Sequence, residues 1–337
     1  MSLTRDTGSS RTMSNPILSI NDLTIAFETS EGKYSALNGV NLEINPSEII
    51  GLVGESGCGK SSLALAVIGL LPVPPAKVLH GNITFKGDNL LKLTENGIEK
   101  VRGTGISMVF QEPLTSLNPL FTVGEQISEA INVRLQREGA AHTKSNVEAE
   151  GVAWLRKVGI PDPQGAFHRY PHELSGGMRQ RVMIAMALSA SPTLMIADEP
   201  TSALDVTTQA QILKLVRKLV EEVNASVLFI SHDLAVVAQI ADRVAVMYTG
   251  MIVEEGPVVE VFEKPLHGYT QALLGSYPGR ESSREPLKVI PGQVPNLTRI
   301  PPGCPFHPRC VRAQDKCKTV RPLLKEVWGH NVACALY

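Results

Sequence analysis

The strongest constraint on this chain is local. A strand candidate, Glu48–Val53, apolar from Ile49 onward, runs straight into Gly54-Glu-Ser-Gly-Cys-Gly-Lys-Ser61. A helical pattern, Ser61–Leu71, begins where that loop ends. A strand that is apolar on both faces belongs inside a parallel sheet. A glycine-rich loop lets the backbone curl until successive N–H groups point inward, beside the positive end of the next helix. Strand, loop and helix in that order form a phosphate cradle. Lys60 supplies a cation for β- and γ-phosphates, Ser61 a hydroxyl for Mg²⁺, and Ser62 a further phosphate contact. Gly54, Glu55, Ser56, Gly57, Cys58 and Gly59 complete the candidate nucleotide-binding loop.

Strands and helices alternate along much of the chain. Ile17–Phe27 alternates apolar and polar residues, as an edge strand would. Val40–Ile44, Gly81–Phe85 and Gly105–Phe110 are further strand candidates. From Glu112 to about Gln164 the period turns helical, with helices over Gly124–Arg137 and Asn146–Val158, and a further helix runs from Ser175 through Ala190. Then come Leu194–Ala197, Gln209–Glu222, Ser226–Ser231, Leu234–Ile240 and Arg243–Tyr248, strand and helix by turns. This order predicts an α/β fold, a parallel sheet covered by helices on both faces.

Composition removes several function classes. Among 337 residues the net charge is −1, which excludes a broad basic nucleic-acid footprint. No apolar run approaches the ~18 residues that cross a bilayer. Residues 1–16 are polar and lack a signal-peptide core, so they read as a disordered leader and the chain as cytosolic. Any work at a membrane must then pass through a partner.

Two acids come at the end of a third apolar strand. Asp198 ends Leu194-Met-Ile-Ala-Asp, which places it at the carboxyl edge of the sheet beside the cradle, where it can hold Mg²⁺. Glu199 comes next and suits a general base for an attacking water. The plainer alternative is a pair of helix-capping acids before Pro200.

Ser175-Gly-Gly177 opens a helix with a hydroxyl and two residues without side chains, which suits an anion and equally an ordinary N-cap. Taken in order, the cradle, Gln111, Leu174-Ser-Gly-Gly-Met178, Leu194-Met-Ile-Ala-Asp-Glu199 and His232 resemble the motif set of ABC-type ATPases. That resemblance implies a P-loop core over residues 17–264 with a mixed or parallel sheet and an inserted helical subdomain at about 112–190. It also implies an irregular, Cys-rich C-terminal region over 265–337. Further, it implies that two such subunits close face to face on ATP. Ser175, Gly176 and Gly177 would then face ATP held by the partner. Gln111 would sense Mg²⁺ along with Ser61 and Asp198, Asp205 would lie in the loop crossing the dimer interface, and His232 would contact the γ-phosphate. Phe27 fits the family's adenine-stacking position best, with Tyr34 as the second choice. Met178 departs from the family's usual Gln.

Three longer segments narrow the branch: Gln111-Glu-Pro-Leu-Thr-Ser-Leu-Asn-Pro119, Leu174-Ser-Gly-Gly-Met-Arg-Gln-Arg-Val182 and Pro265-Leu-His-Gly-Tyr-Thr-Gln-Ala-Leu-Leu274. Together they resemble the ATP-binding subunits of oligopeptide, dipeptide and nickel permeases, of the D type. The resemblance implies an ATPase peripheral to the cytoplasmic side of the membrane that powers import of peptides or, alternatively, of nickel or another small solute. Its expected partners are a paralogous ATPase subunit or a second copy, two membrane-spanning subunits and, indirectly, an extracytoplasmic binding protein. A soluble, non-transport ABC ATPase is the weaker alternative. An ordinary GTPase lacks any use for Leu-Ser-Gly-Gly, and no Asn-Lys-x-Asp motif is present.

Four of the five cysteines crowd the C-terminus: Cys304-x5-Cys310-x6-Cys317-x16-Cys334. In a reducing cytosol such a group reads as metal binding before disulfides. No pair has the Cys-x2-Cys spacing of common zinc sites. Four thiolates suit a [4Fe–4S] cluster or zinc, and the resemblance implies the cluster. His307 and His330 are possible zinc ligands and more plainly structural. The proline-rich run beyond Pro265 leaves little room for regular structure.

Overall fold

The structure is a computed structural model that describes residues 15–30, 32–112, 116–202, 204–276 and 290–337. The leader therefore lies outside the described residues except for Asn15 and Pro16.

Among the described residues, twelve strands form two sheets: β1 Leu18–Thr29, β2 Gly32–Ile44, β3 Ile49–Val53, β4 Ala76–Phe85, β5 Asp88–Asn89, β6 Ile106–Val109, β7 Leu194–Asp198, β8 Ser226–Ser231, β9 Arg243–Tyr248, β10 Met251–Pro257, β11 Lys325–Val327 and β12 His330–Val332. The larger sheet runs β11-β12-β10-β9-β3-β8-β7-β6. Its β9-β3-β8-β7-β6 portion is parallel, as the alternation requires. Residues of each central strand go by turns to opposite cores. Ile49, Val53, Val227, Phe229, Val244 and Val246 face one, while Ile50, Leu52, Leu228, Ile230, Ala245 and Met247 face the other. This is the period-two pleat with both faces dry.

The second sheet, β2-β1-β4-β5, is antiparallel, and it corrects one expectation. The Ile17–Phe27 segment is an interior strand paired on both sides, not an edge. Alternating polarity reports one wet face, and an interior strand of an antiparallel sheet has that too.

The main helices are α1 Lys60–Val67, α2 Glu95–Val101, α3 Val123–Glu138, α4 Lys144–Lys157, α5 Pro163–Phe167, α6 Gly176–Ser189, α7 Val206–Val223, α8 Leu234–Ile240, α9 Val258–Glu263, α10 Gly268–Gly275 and α11 Asp315–Thr319. Helices α3 to α6 fall between β6 and β7 in the chain and pack against one another as a lobe. Thr122 and Glu125 close a capping box at the start of α3, a device worth about 1 kcal/mol. The lobe packs on Phe167. A Cβ at Gly124 or Gly151 would meet its ring at 2.3 or 2.6 Å, so both positions need glycine.

The C-terminal region is more regular than its proline content suggests. Strands β11 and β12 form a hairpin that pairs with β10 and extends the main sheet. Buried Glu254 ties these parts together. Its carboxylate accepts from Leu266 N (2.6 Å) and His267 N (2.9 Å), and it lies 2.8 Å from His330 Nε2. Prolines disfavour helix interiors and central strands but not a short edge hairpin.

Candidate functional site: a phosphate cradle and its catalytic edge

The cradle forms as its sequence requires, with β3 leading in and α1 leading out. Gly59 has φ +111°, and a Cβ there would meet the Ala36 carbonyl at 2.5 Å, so backbone angle and space both demand glycine. Buried Lys60 folds back over the loop, with Nζ donating to Gly54 O at 2.8 Å and Glu55 O at 3.2 Å. Those carbonyls hold the ammonium where a polyphosphate can take it over.

A cavity of about 440 Å³ opens over the loop, lined by Ser56, Gly57, Gly59, Lys60, Ser61 and Ser62. Tyr34, Thr29 and Ala36 form another wall, with Gln111 and Glu199 at the catalytic side. Tyr34 lines the cavity, whereas Phe27 stacks behind it, centroids 5.5 Å apart and planes at 9°. The ring that faces the cavity is therefore the second choice, not the first. The β1–β2 pairing explains this, because Phe27 and Tyr34 are cross-strand partners and only one of the stacked pair can face the opening.

Three loop residues expected to bind nucleotide do not line the cavity. Gly54 is tight beneath it, where a Cβ would meet Met247 O at 2.2 Å. Cys58 is buried, and burial pushes its thiol above the usual range. Glu55 turns its carboxylate away, onto Arg309.

Asp198 emerges from β7 beside Ser61. Its carboxyl is pushed above the usual carboxylate range, chiefly by burial, while a hydrogen bond from Ser61 pulls the other way. Its Oδ1 is buried with no hydrogen-bond partner. A buried, half-satisfied carboxylate next to a hydroxyl fits a hard divalent cation.

Glu199 has φ +46°, a left-handed angle that costs a glycine little and a glutamate about 1 kcal/mol or more. The angle swings its side chain off the strand direction. Its Oε2 accepts from Gln111 Nε2 at 3.2 Å and lies 3.1 Å from His232 Nδ1. Three residues far apart in sequence thus meet on one carboxylate oxygen. Gln111 leaves the end of β6 and His232 the end of β8, both at the carboxyl edge of the parallel sheet.

The remaining expected residues stand outside this cavity. Ser175 caps α6, its Oγ accepting from Met178 N at 3.3 Å. A Cβ at Gly176 would meet nothing within 4 Å, and one at Gly177 only Thr208 at 3.7 Å. Asp205 caps α7, accepting from Thr207 N, Thr208 N and Thr208 Oγ1, and these bonds hold its carboxyl below the usual range.

Among the described residues, no three His, Cys, Asp or Glu side chains are gathered so as to hold a single metal ion. Neither the cluster site that the resemblance implies nor a zinc site is formed among the described residues. Cys304, Cys310, Cys317 and Cys334 nevertheless line one small, mostly apolar cavity with Phe306 and Leu336. Burial raises the Cys304 thiol to about 11, with the other three cysteines adding to the shift. His267 Nε2 stands 3.8 Å from Cys304 Sγ, and His267 Nδ1 accepts from Tyr269 N at 3.1 Å. His307 Nδ1 lies 2.9 Å from Cys304 O, and His330 is engaged by Glu254, so both serve structure. Sequence reasoning missed His267, because nothing in the local pattern marks it as a neighbour of a cysteine 37 positions away.

Known proteins give the same picture. Residues 37–202 match the ABC transporter family model, and residues 253–317 match that of the oligopeptide/dipeptide transporter C-terminal region. The chain is 48% identical to a probable peptide ABC transporter ATP-binding protein of Sinorhizobium fredii, covering 96% of this chain and 97% of the relative. It is 45% identical to the oligopeptide transport ATP-binding protein AppD of Bacillus subtilis, over 95% and 97% of the two chains. Identity to the oligopeptide transport ATP-binding protein OppD of Escherichia coli is 44%, over 94% and 92%. Among solved structures, the dimeric ATP-binding cassette MJ0796 bound to ADP and Pi aligns at TM-score 0.63 and 27% identity, over 72% of this chain and 98% of that one. The chain belongs to the ABC transporter ATP-binding family, in the branch that carries the oligopeptide/dipeptide transporter C-terminal region.

Proposed function

We propose that this chain is the ATP-hydrolysing subunit of an importer of peptides, acting in pairs on ATP sandwiched between two such subunits. The observation that carries the reading is the meeting of Gln111 and His232 on Glu199 beside the cradle. Glu199 accepts a proton from the attacking water, and its two neighbours fix which oxygen is free to do so. Lys60 exchanges its two carbonyl partners for phosphate oxygens. Ser61 and Asp198 are the residues that would hold Mg²⁺, which neutralises charge on the phosphates.

The need for two subunits is supported by glycines that the single chain does not require. Gly176 and Gly177 have ordinary helical backbone and open space around them, so folding alone would accept alanine there. Close approach of a partner's nucleotide to the start of α6 gives them a use. The import reading is supported by the names of the relatives, which are peptide and oligopeptide transport proteins. No helix among the described residues is long and apolar enough to cross a membrane, so membrane-spanning partners complete this scheme at the cytoplasmic face. A groove between α3 and α4, lined by Val133, Val147 and Phe167 among polar residues, suits a helix offered by such a partner. Nickel or another small solute is the alternative cargo.

The observation that supports a [4Fe–4S] cluster here is that all four cysteines line one small apolar cavity. Cys304, Cys310, Cys317 and Cys334 would hold it, and it would supply a structural knot or an electron-accepting centre. Iron and sulfide near four each per anaerobically purified chain would establish it, while zinc or no metal would remove it.

The test of the main reading is Glu199→Gln in the assembled transporter. Retained ATP binding with hydrolysis slowed by about 10²-fold or more is expected. Near-normal turnover would overturn the role of Glu199.

A further inference from the structure

The C-terminal region touches the ATP site at two places, and one residue serves both. Arg309 is only 6% exposed at its side chain. It forms a two-pronged ion pair with Glu55 of the cradle, with Nη atoms 2.8 and 3.0 Å from the two carboxylate oxygens. A planar guanidinium matched to a carboxylate in this way fixes direction as well as distance. The same side chain donates through Nε to Pro291 O at 2.9 Å and through Nη to Tyr248 Oη at 3.2 Å. Tyr269 adds a second tie, its Oη accepting from Glu55 N at 2.8 Å.

The Pro291 contact matters because the chain reaches the nucleotide cavity a few residues beyond it. Asn296, Leu297 and Thr298 line the same cavity as Lys60 and Tyr34. They form a turn closed on itself, with Asn296 Oδ1 accepting from Thr298 N and Oγ1, each at 2.9 Å. The C-terminal region therefore supplies a wall of the nucleotide cavity, and Arg309 pins that wall to the loop that holds phosphate.

We propose that Arg309 is a positioning residue for ATP, holding the start of the phosphate loop through Glu55 and the Asn296–Thr298 wall through Pro291. Arg309 lies within the segment that matches the oligopeptide/dipeptide transporter C-terminal region, outside the residues that match the cassette model. Its neighbour Cys310 lines the thiol cavity, so one short turn, His307–Arg309, joins that cavity to the ATP site. The proposal rests on the reading that the cavity holds ATP.

The test is equilibrium binding of mant-ATP with Mg²⁺ to the full-length chain, corrected for the folded fraction by circular dichroism. Lys60→Ala is the control for the ATP site itself. Arg309→Met should weaken binding by about tenfold, since it removes a desolvated charge partner. Arg309→Lys keeps the charge but loses the fork, and should recover part of the loss. Asn296→Ala, which frees the turn carrying Thr298, should weaken binding less and in the same direction. If Arg309→Met lowers the melting temperature but its folded fraction binds as wild type does, the residue is merely structural and the proposal fails. Should Arg309→Met not fold, wild-type affinity in both Arg309→Lys and Asn296→Ala overturns it. Wild-type binding by Lys60→Ala would instead overturn the ATP reading on which it rests.

Discussion

His232 Nδ1 stands 3.1 Å from Glu199 Oε2, the same oxygen that accepts from Gln111. With both neighbours on one oxygen, Oε1 is left as the atom that can take a proton from water. His232→Ala should therefore lower hydrolysis by about 10²-fold while leaving nucleotide affinity near that of wild type, because it orients the base and does not form the cradle. Phosphate release in the assembled transporter, with mant-ATP binding measured in parallel, checks this. A loss of affinity equal to the loss of rate would assign His232 to binding instead.

Gly59→Ala should damage the cradle itself. The new Cβ meets the Ala36 carbonyl at 2.5 Å, and a φ of +111° is closed to alanine. Destabilisation of about 2–4 kcal/mol is expected, with loss of detectable ATP binding. Chemical denaturation of the full chain gives the first number, and an unchanged midpoint would show that the loop can open around a methyl group.

Gly176→Ala is the opposite case. Nothing lies within 4 Å of its would-be Cβ, and its backbone is helical. Stability of the single chain should stay the same or rise by up to about 1 kcal/mol, since alanine favours helix. Hydrolysis in the paired state should nonetheless fall, because the methyl group stands where a partner's nucleotide approaches. Measuring melting temperature and turnover on the same preparation separates the two effects. A variant with normal turnover would remove the start of α6 from the ATP site.

The features legible in the sequence are local or periodic. The cradle is one continuous strand, loop and helix, so its chemistry survives in one dimension. Ser226–Ser231, Leu234–Ile240 and Arg243–Tyr248 have the same bounds in sequence and structure, because each is a short apolar run between clear breaks. Relationships across the sheet are not legible. The family resemblance favours Phe27 over Tyr34, and only strand pairing shows that the first stacks behind the second. Glu55 reads as a phosphate-loop residue, and only the fold brings it to Arg309, 254 positions away. Asp205 reads as an interface residue, yet within the chain its carboxylate is spent on the α7 cap. The C-terminal hairpin is hidden by its prolines, since composition cannot tell an irregular linker from short strands added to a sheet edge.

Asp198 gives a prediction with a defined sign in pH. Burial holds its carboxyl above the ordinary range, so the folded state binds that proton more tightly than the unfolded state does. The group therefore costs no stability below the ordinary carboxylate range, and its penalty grows as pH rises from there and is complete above the folded value. Asp198→Asn carries no charge to desolvate. Without nucleotide at neutral pH it should melt higher than wild type by about 2–4 °C, as expected for a domain of this size relieved of a buried charge. That advantage should shrink to nothing as pH falls below about 4. With Mg²⁺ and ATP present the order should reverse, because the carboxylate holds the cation more strongly than an amide does, and the wild type gains more of the ligand's stabilisation. Melting curves from pH 3 to 8, with and without Mg-ATP, check every arm. A lower melting temperature for the nucleotide-free variant at pH 7 would mean that the hydrogen bond with Ser61 outweighs burial, and that Asp198 is held for structure before it is held for the metal.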